Sequence, residues 1–194
     1  MVVQDSNMKY AFVKEITKVS DNQLGQALFA LADKLPDYFW KIPASSTGKY
    51  HPQCDLGDGG LVRHSIMVAT IADELVTSEL FVEDIPLNHD IARAAGLFHD
   101  CLKNGPVLED GKFNEHTDFL HPLYARDFIV SELTGKVDKK GYVDAIANAI
   151  ASHMGKWNTS KYAEGELPVP SSPMEKLLHC ADYTASRKWV GGLW

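Results

Sequence analysis

The feature that most constrains the fold of this chain is a set of histidines and aspartates that lie far apart in sequence, each in a segment with helical periodicity. The set consists of His64, His99, Asp100, His121, His153 and Asp182. Neutral imidazole nitrogens and carboxylate oxygens are good ligands for transition metals, whereas a single histidine on an apolar helix face is usually an ordinary core residue. The set as a whole therefore predicts a helical assembly that gathers these side chains around a metal.

Apolar residues show which elements the chain forms. They recur at helical spacing along most of the sequence, for example at Leu24, Leu28, Leu31 and Leu35, and strand-like alternation is scarce. We predict an all-α fold of six helices, with helix ends placed to within about 2–4 residues. The predicted helices span residues 21–35, 62–80, 88–102, 117–133, 140–154 and 173–189.

The length of 194 residues fits one domain, and the sequence has no internal repeat. We predict a single domain over residues 1–194, with a metal-binding core at residues 40–190 and a short N-terminal helical extension. Three irregular stretches, residues 41–60, 103–116 and 155–172, adjoin the candidate ligands. Long loops in a compact domain are often functional, so we expect these three to rim the site.

Composition and the lack of targeting segments limit which cellular compartment and which binding partners we expect. No stretch resembles a secretory signal or reaches membrane-spanning length, and the three cysteines form no C-x-x-C pair. These features predict a cytoplasmic protein with free thiols and no membrane partner. The net charge of −7 and the lack of a dense Lys/Arg run argue against a duplex DNA partner. A small anion remains possible, because a metal ion would supply positive charge of its own.

The placement of the candidates on helices shows why several helices must meet. His99 and Asp100 are neighbours near a helix end, so their side chains diverge by about 100° around the axis. They need partners from other helices, and His64 and Asp182 can approach the same ion from two of them. Asn88 can cap the helix that leads to His99. Pro173 suits the first turn of the last helix, which carries Asp182.

The order H…HD…D formed by His64, His99-Asp100 and Asp182 resembles the HD-domain superfamily of metal-dependent phosphohydrolases. The resemblance covers residues 40–190. Its closest pattern is the HD domain of the YhaM-type 3′→5′ exoribonucleases, without the OB-fold that those larger proteins carry. The stretches that carry it are IPAS at 42–45, His51, GGLVRHS at 59–65, LFHDCLKNG at 97–105, ASHMGKW at 151–157 and LLHCADYTASR at 177–187.

The resemblance implies a helical bundle of the HD-domain type that binds one or two divalent ions, chosen from Mn, Fe, Mg, Co, Ni and Zn. The first ion would be held by His64, His99, Asp100 and Asp182. A second would be held by His121 and His153 with Asp100 bridging, and two such ions about 3.5–4 Å apart orient water in line with a phosphorus atom. His116 is the alternative to His121. If one ion binds, His121 and His153 would instead contact the phosphate or donate a proton to the leaving group.

Other residues are assigned to catalysis and substrate binding. The resemblance implies catalytic roles for Asp100 and Lys103, since the matching family position is also Lys and an ammonium can stabilise charge on a phosphate oxygen. The substrate-binding candidates are Lys103, His51, Lys156 and Arg187. The aromatic residues Trp157 and Tyr183 either stack on a nucleobase or serve as packing anchors. His179 is either a support for the ligands or a core residue, and His89 is structural.

Together these features favour a metal-dependent phosphohydrolase that cleaves a phosphomonoester or phosphodiester bond of a nucleotide or short oligonucleotide. An acidic chain without an OB-fold has little means of gripping a long strand. Two alternatives stay open, namely a 3′→5′ exonuclease acting on single-stranded RNA or DNA, and a non-catalytic sensor that binds metal and nucleotide. Turnover of any phosphoester would exclude the sensor, and stepwise shortening of an oligomer would identify the exonuclease.

Overall fold

The computed structural model describes residues 2–78 and 88–190. This part of the chain contains seven α-helices and no β-strand, apart from one isolated bridge between Thr159 and Glu166. The all-α prediction is therefore confirmed. The helices are α1 Val2–Ile16, α2 Asn22–Ala32, α3 Gly60–Val76, α4 His89–Phe98, α5 His121–Leu133, α6 Tyr142–Ser152 and α7 Pro173–Ala185.

All six predicted helices are present, and their ends differ by a few residues. The helix predicted at 62–80 ends at Val76, and its last two predicted positions, 79 and 80, lie outside the described residues. Helix α4 ends at Phe98 and α7 at Ala185, each four residues earlier than predicted. In both places the chain continues in tight turns. The apolar residues keep their helical spacing for a few positions into these turns, which is why the predicted helices are longer. Helix α1 was not among the predicted helices.

Two predicted helix-start signals are confirmed. The side chain of Asn88 accepts hydrogen bonds from the backbone N–H groups of Asp90 at 2.8 Å and Ile91 at 3.2 Å, and so caps α4. Pro173 is the first residue of α7. The hydroxyl of Ser172, just before it, accepts a bond from the backbone of Glu175 and donates one to its carboxylate. This exchange fixes where α7 begins.

The closest helix contact in the core joins α3 and α4. Gly96 of α4 faces Ala69 of α3, and a Cβ placed on Gly96 would lie 2.5 Å from the Cα of Ala69. The two backbones can approach this closely because Gly96 has no side chain. Helices α6 and α7 pack against this pair, and α5 packs against α6. The arrangement brings one part of each of these five helices to the same region.

Aromatic and ionic contacts attach the N-terminal helix to this core. The ring of Phe12 meets that of Phe98 edge to face, with centroids 5.3 Å apart. The buried guanidinium of Arg93 on α4 binds Glu15 of α1 at 2.8 Å and Asp73 of α3 at 2.5 Å. Only Phe12, Glu15 and Ile16 are buried among the described side chains of α1, so its amphipathic pattern is weak. Within the described ranges, no helix is both long and apolar enough to cross a bilayer.

The α3–α4 contact makes a prediction about stability. Gly96→Ala should lower the free energy of unfolding by about 1–3 kcal/mol, because the new methyl group forces the two helices apart. Gly25→Ala is the matched control in α2, where an added Cβ meets no atom within 4 Å. It should raise stability by about 0.5–1 kcal/mol. Urea unfolding of both variants checks this, and a Gly96→Ala variant as stable as Gly25→Ala would contradict the close contact.

Candidate metal centre

All six predicted ligand residues meet in one place, where parts of five helices converge. His64 lies in the first half of α3, and Asp182 lies near the end of α7. The other four stand at helix ends: His99 and Asp100 directly follow α4, His121 opens α5, and His153 directly follows α6. The side chain of Asp182 is 21% exposed, and those of the other five are at most 2% exposed. The structure therefore gathers buried ligand atoms from across the chain.

One group of possible ligands combines α3, the end of α4 and α7. Nε2 of His64 lies 3.1 Å from Oδ1 of Asp182, and Nε2 of His99 lies 3.7 Å from the same oxygen. One ligand atom from each of the three residues falls within 4.8 Å of the other two. Three such atoms on different helices are placed to hold one ion.

A second group lies beside the first and shares His99 with it. It consists of His99, Asp100 and His153, again with ligand atoms within 4.8 Å of one another. Oδ2 of Asp100 is 3.4 Å from Nε2 of His99, and its Oδ1 is 2.9 Å from Nε2 of His121 and 3.6 Å from Nε2 of His153. The two oxygens of Asp100 thus face opposite sides of the site, which is the placement that a bridging carboxylate needs.

Backbone carbonyls hold three of the four imidazoles in a defined orientation. Nδ1 of His99, His121 and His153 lies 2.8, 2.6 and 2.7 Å from the carbonyl oxygen of the residue three positions earlier. A carbonyl oxygen only accepts, so Nδ1 carries the proton and donates in each case. The lone pair of each ring is then on Nε2, which points into the site. For His99 and His153 the acceptors belong to the last turn of a helix, where carbonyls lack a partner within the helix.

The donor set fits a divalent ion. Among the described residues, Nε2 of His99, Nε2 of His121 and Oδ1 of Asp100 are buried and have no hydrogen-bond partner. Leaving a buried polar atom unsatisfied costs about 1–3 kcal/mol, so three such atoms facing each other need an explanation. A cation bound to them supplies one, since imidazole and carboxylate groups together suit Mn, Fe, Co, Ni and Zn.

The protonation states of Asp100 and His153 also suit cation binding. Burial alone would raise the pKa of Asp100, but the charges of Lys103 and His99 outweigh it and hold that pKa well below the usual range. Burial and the neighbouring His99 lower the pKa of His153 to about 3. Near neutral pH the carboxylate is therefore ionised and the imidazole of His153 is uncharged, and these are the forms that bind metal.

The pKa of His64 is shifted in the opposite direction to that of His153. Burial disfavours its charged form, but contacts with Asp182 and Asp55 outweigh burial and raise its pKa to about 9. Burial likewise works against the ionised form of Asp182, yet the contact with His64 lowers the pKa of that carboxyl. The ring of His64 thus lies between two carboxylates, with Nδ1 toward Asp55 and Nε2 toward Asp182. Binding of an ion to Nε2 requires that nitrogen to be unprotonated.

A cavity of about 450 Å³ opens onto this cluster, and its walls confirm that the three irregular stretches rim the site. Residues 44–46 and 50–51 come from the first stretch, Lys103 from the second and Trp157 from the third. The ammonium of Lys103 contacts Oδ2 of Asp100, and its side chain is 12% exposed. The lining residues are Ala44, Ser45, Ser46, Tyr50, His51, Asp100, Lys103, Thr117, His121, His153, Met154, Trp157, Asp182, Tyr183, Ser186 and Arg187.

The structure separates residues that the sequence left as alternatives. His121 is buried in the cluster, whereas His116 is exposed. Nδ1–H of His179 donates to the backbone carbonyl of His153 at 2.7 Å, so His179 supports the segment that carries a candidate ligand. His89 pairs at the surface with Asp73 at 2.8 Å, in line with a structural role.

The predicted substrate-binding residues fall in two places. His51, Lys103 and Arg187 line the cavity, and Lys156 does not. The ammonium of Lys156 lies over the ring of Trp157, 4.9 Å from its centroid. Burial and the nearby His64 lower the pKa of His51 to about 4, so its ring is neutral.

Sequence reasoning missed Asp55. Its side chain is 2% exposed, and its Oδ2 lies 3.4 Å from Nδ1 of His64, on the side of that ring facing away from Asp182. Asp55 belongs to a short 3-10 helix, Gln53–Asp55, inside the first irregular stretch. Nothing in the sequence distinguishes it from Asp58 in the same loop, so no sequence signal identifies it.

The comparison with protein families agrees with this geometry. The family described as HD domain matches residues 61–187, which include all six candidate ligands. The chain therefore belongs to the HD domain family, a family of metal-dependent phosphohydrolases that bind divalent ions. No curated protein and no solved structure matches the chain.

The convergence of five helices on one centre makes a prediction about metal removal. An ion present at 100 times its Kd stabilises a fold by about 2.7 kcal/mol, so a chelator should lower the Tm by roughly 5–10 °C. His64→Ala should show a smaller shift, and His116→Ala should respond like the original protein. Differential scanning calorimetry with and without a chelator, together with elemental analysis, measures this. A Tm that the chelator does not change would contradict an ion at this centre.

Proposed function

We propose that this protein is a metal-dependent phosphohydrolase that cleaves a phosphomonoester or phosphodiester bond of a nucleotide or short oligonucleotide. The observation that carries the proposal is the position of the cavity. Its floor is formed by candidate ligands, namely Asp100, His121, His153 and Asp182, and its walls carry cationic and aromatic side chains. A phosphate on the floor and a base against the wall would together occupy it.

The contacts at and beneath the floor support this assignment of roles. In the proposal, His64, His99, Asp100 and Asp182 would hold the first ion, and His121 and His153 face the other oxygen of Asp100, where a second ion would bind. A bound divalent ion activates water and offsets charge on the phosphate oxygens. His99, His121 and His153 are already oriented by their backbone hydrogen bonds, so little reorganisation accompanies binding.

Lys103 and His51 complete the phosphate site in this proposal. Lys103 is held against the carboxylate of Asp100 and still lines the cavity, so its charge is fixed beside the position of the phosphate. Nδ1 of His51 is buried and lacks a hydrogen-bond partner. The neutral ring of His51 can donate one hydrogen bond to a phosphate oxygen or to the leaving group.

The wall of the cavity carries a ladder of aromatic rings and cations, which we call the rim ladder. The rings of Trp157 and Tyr183 are nearly parallel, 13° apart with centroids separated by 5.8 Å. Arg187 lies between the faces of Tyr183 and Tyr50, at 4.3 and 5.3 Å from their centroids, and Lys156 covers Trp157. Flat rings and positive charges are what a base and its phosphates bind.

The size of the cavity favours a small substrate. About 450 Å³ lies within the range of sites that enclose one small organic ligand. The chain also carries a net charge of −7, which disfavours attraction of a long polyanion. A mononucleotide or a short oligonucleotide is therefore the preferred substrate class, and we expect neither duplex DNA nor a membrane as partner.

A 3′→5′ exonuclease acting on single strands is the second candidate, and the rim ladder is the observation that favours it. Trp157 is 44% and Tyr183 41% exposed, so a second base could stack outside the cavity. The sequence stretches similar to YhaM-type exoribonucleases point the same way. Stepwise shortening of a 5′-labelled oligonucleotide would support this activity over cleavage of mononucleotides.

The main test of the proposal compares variants of Asp100 and Lys103, which have different expected roles. Asp100→Ala should lose both bound metal and turnover, because it removes the carboxylate that both ion positions share. Lys103→Ala should keep its metal and lose about 100- to 1,000-fold in kcat, the loss typical when one charge-stabilising group is removed. Lys112→Ala, an exposed lysine paired with Asp110, is the control and should behave as the original protein.

The measurement is elemental analysis combined with hydrolysis of a panel of nucleoside mono- and triphosphates, cyclic nucleotides and short oligonucleotides. Equal turnover in Asp100→Ala, Lys103→Ala and the original protein would contradict the mechanism. Full metal occupancy with no hydrolysis of any of these esters would favour a metal and nucleotide sensor instead.

The rim ladder makes a prediction about the base. Trp157→Ala should raise KM for a nucleotide by roughly 5- to 150-fold, because stacking contributes about 1–3 kcal/mol per base. KM for ribose 5-phosphate, which has no base, should stay unchanged. Tyr162→Ala is the control, since Tyr162 is in the same loop, 97% exposed, and does not line the cavity. An equal rise in KM for both substrates would show that Trp157 supports the fold of the wall and not the base.

A further inference from the structure

His64 differs from the other three histidines in what holds its ring. Nδ1 of each of the others bonds to a backbone carbonyl, whereas Nδ1 of His64 faces the carboxylate of Asp55 at 3.4 Å. The two side chains are 1% and 2% exposed. Nδ1 of His64 and Oδ2 of Asp55 are both buried, and neither has a hydrogen-bond partner among the described residues. Two buried polar atoms therefore face each other and nothing else.

The loop around Asp55 is built to hold this carboxylate in place. The guanidinium of Arg63, one residue before His64, donates to the backbone carbonyls of Cys54 at 2.5 Å and Leu56 at 3.1 Å. These carbonyls lie on either side of Asp55. The loop is thus fastened to the same helix that carries His64.

Two backbone contacts fix Asp55 further. The N–H of Ala44 donates to the carbonyl of Asp55 at 3.0 Å. Gly60, at the start of α3, lies so close that a Cβ on it would come within 2.1 Å of that carbonyl oxygen. The thiol of Cys54 donates to Oδ1 of Asp55 at 3.5 Å, which leaves Oδ2 to face His64. Asp55 does not line the cavity, so it contacts His64 and not a substrate.

We propose that Asp55 is a positioning residue for the metal ligand His64: it accepts the Nδ1 proton, fixes the tautomer and leaves Nε2 free to bind the ion. This inference rests on the proposed metal-binding role of His64. A carboxylate behind a ligating imidazole fixes the ring and raises its basicity. Because Asp55 belongs to the loop that also supplies Ala44, Tyr50 and His51 to the cavity, it connects the wall of the substrate site to the metal centre.

Zinc affinity tests the role directly and does not depend on turnover. Asp55→Ala should weaken zinc binding about 10- to 100-fold, as expected when the partner behind a ligand is removed. Asp55→Asn keeps an acceptor oxygen but removes the negative charge that makes the ring more basic, so it should weaken zinc binding by a smaller but measurable factor. Both are measured by competition with a chromophoric chelator. Unchanged zinc affinity in Asp55→Ala would overturn the inference, and if that variant does not fold, unchanged affinity in Asp55→Asn would do so.

A matched control separates positioning from general damage. Asp90 is another buried carboxylate, and it accepts hydrogen bonds from the backbone and hydroxyl of Ser20 and from the backbone of Asp21. Asp90→Ala should lower stability and leave zinc affinity unchanged. If Asp90→Ala weakens zinc binding as much as Asp55→Ala does, the effect belongs to any lost buried carboxylate and the inference fails.

A nuclear magnetic resonance signature reports the tautomer itself. In the zinc-loaded protein, ¹H–¹⁵N correlation spectra should show Nδ1 of His64 protonated, and in Asp55→Ala this signal should shift or broaden while those of His99 and His153 stay in place. An unchanged His64 signal counts against the inference. His64→Ala should lose zinc; if it binds zinc normally, the proposed metal site itself is wrong, a result distinguishable from failure at Asp55.

Discussion

The structure depends on one constraint: buried imidazoles and carboxylates from five helices face one another, and several of their ligand atoms have no hydrogen-bond partner among the described residues. Isolated buried charges and unpaired polar atoms are costly, so such a cluster persists only with a compensating partner. Asp100 stands at its centre, with one oxygen toward His99 and the other toward His121 and His153. A divalent ion is the compensation that this donor set fits.

Carbonyl groups at helix ends orient two of the histidine ligands. An α-helix leaves its last carbonyl oxygens without intrahelical partners, and at His99 and His153 the imidazole takes up one of them. The ring is then held with Nε2 toward the centre, and no additional side chain is needed to orient it. His64 lies within a helix, where carbonyls are already used by the helix itself. It depends on Asp55 instead, and Arg63 holds the loop that delivers that carboxylate.

The cavity combines the centre with a surface of different chemistry. Its floor carries the candidate metal ligands, and its wall presents Tyr50, Trp157 and Tyr183 with Arg187 between two of the rings. A phosphoester of a flat, aromatic group matches both parts, whereas an aliphatic ester would leave the wall unused. The loops that form the wall also contact the centre through His51 and Lys103, so the wall and the centre are parts of one arrangement.

The sequence by itself determined the helical class of the fold, the order of the six candidate ligands and the loops that rim them, because helical periodicity and the chemistry of imidazole and carboxylate groups are local properties. It also placed the capping residue Asn88. Only the tertiary structure decided that His121 and not His116 enters the cluster, that Lys156 lies outside the cavity, and that Asp55 stands behind His64. These outcomes depend on which residues from distant segments approach one another. The position of helix α1 depends on the same thing, because its few buried residues contact their partners only in the assembled core.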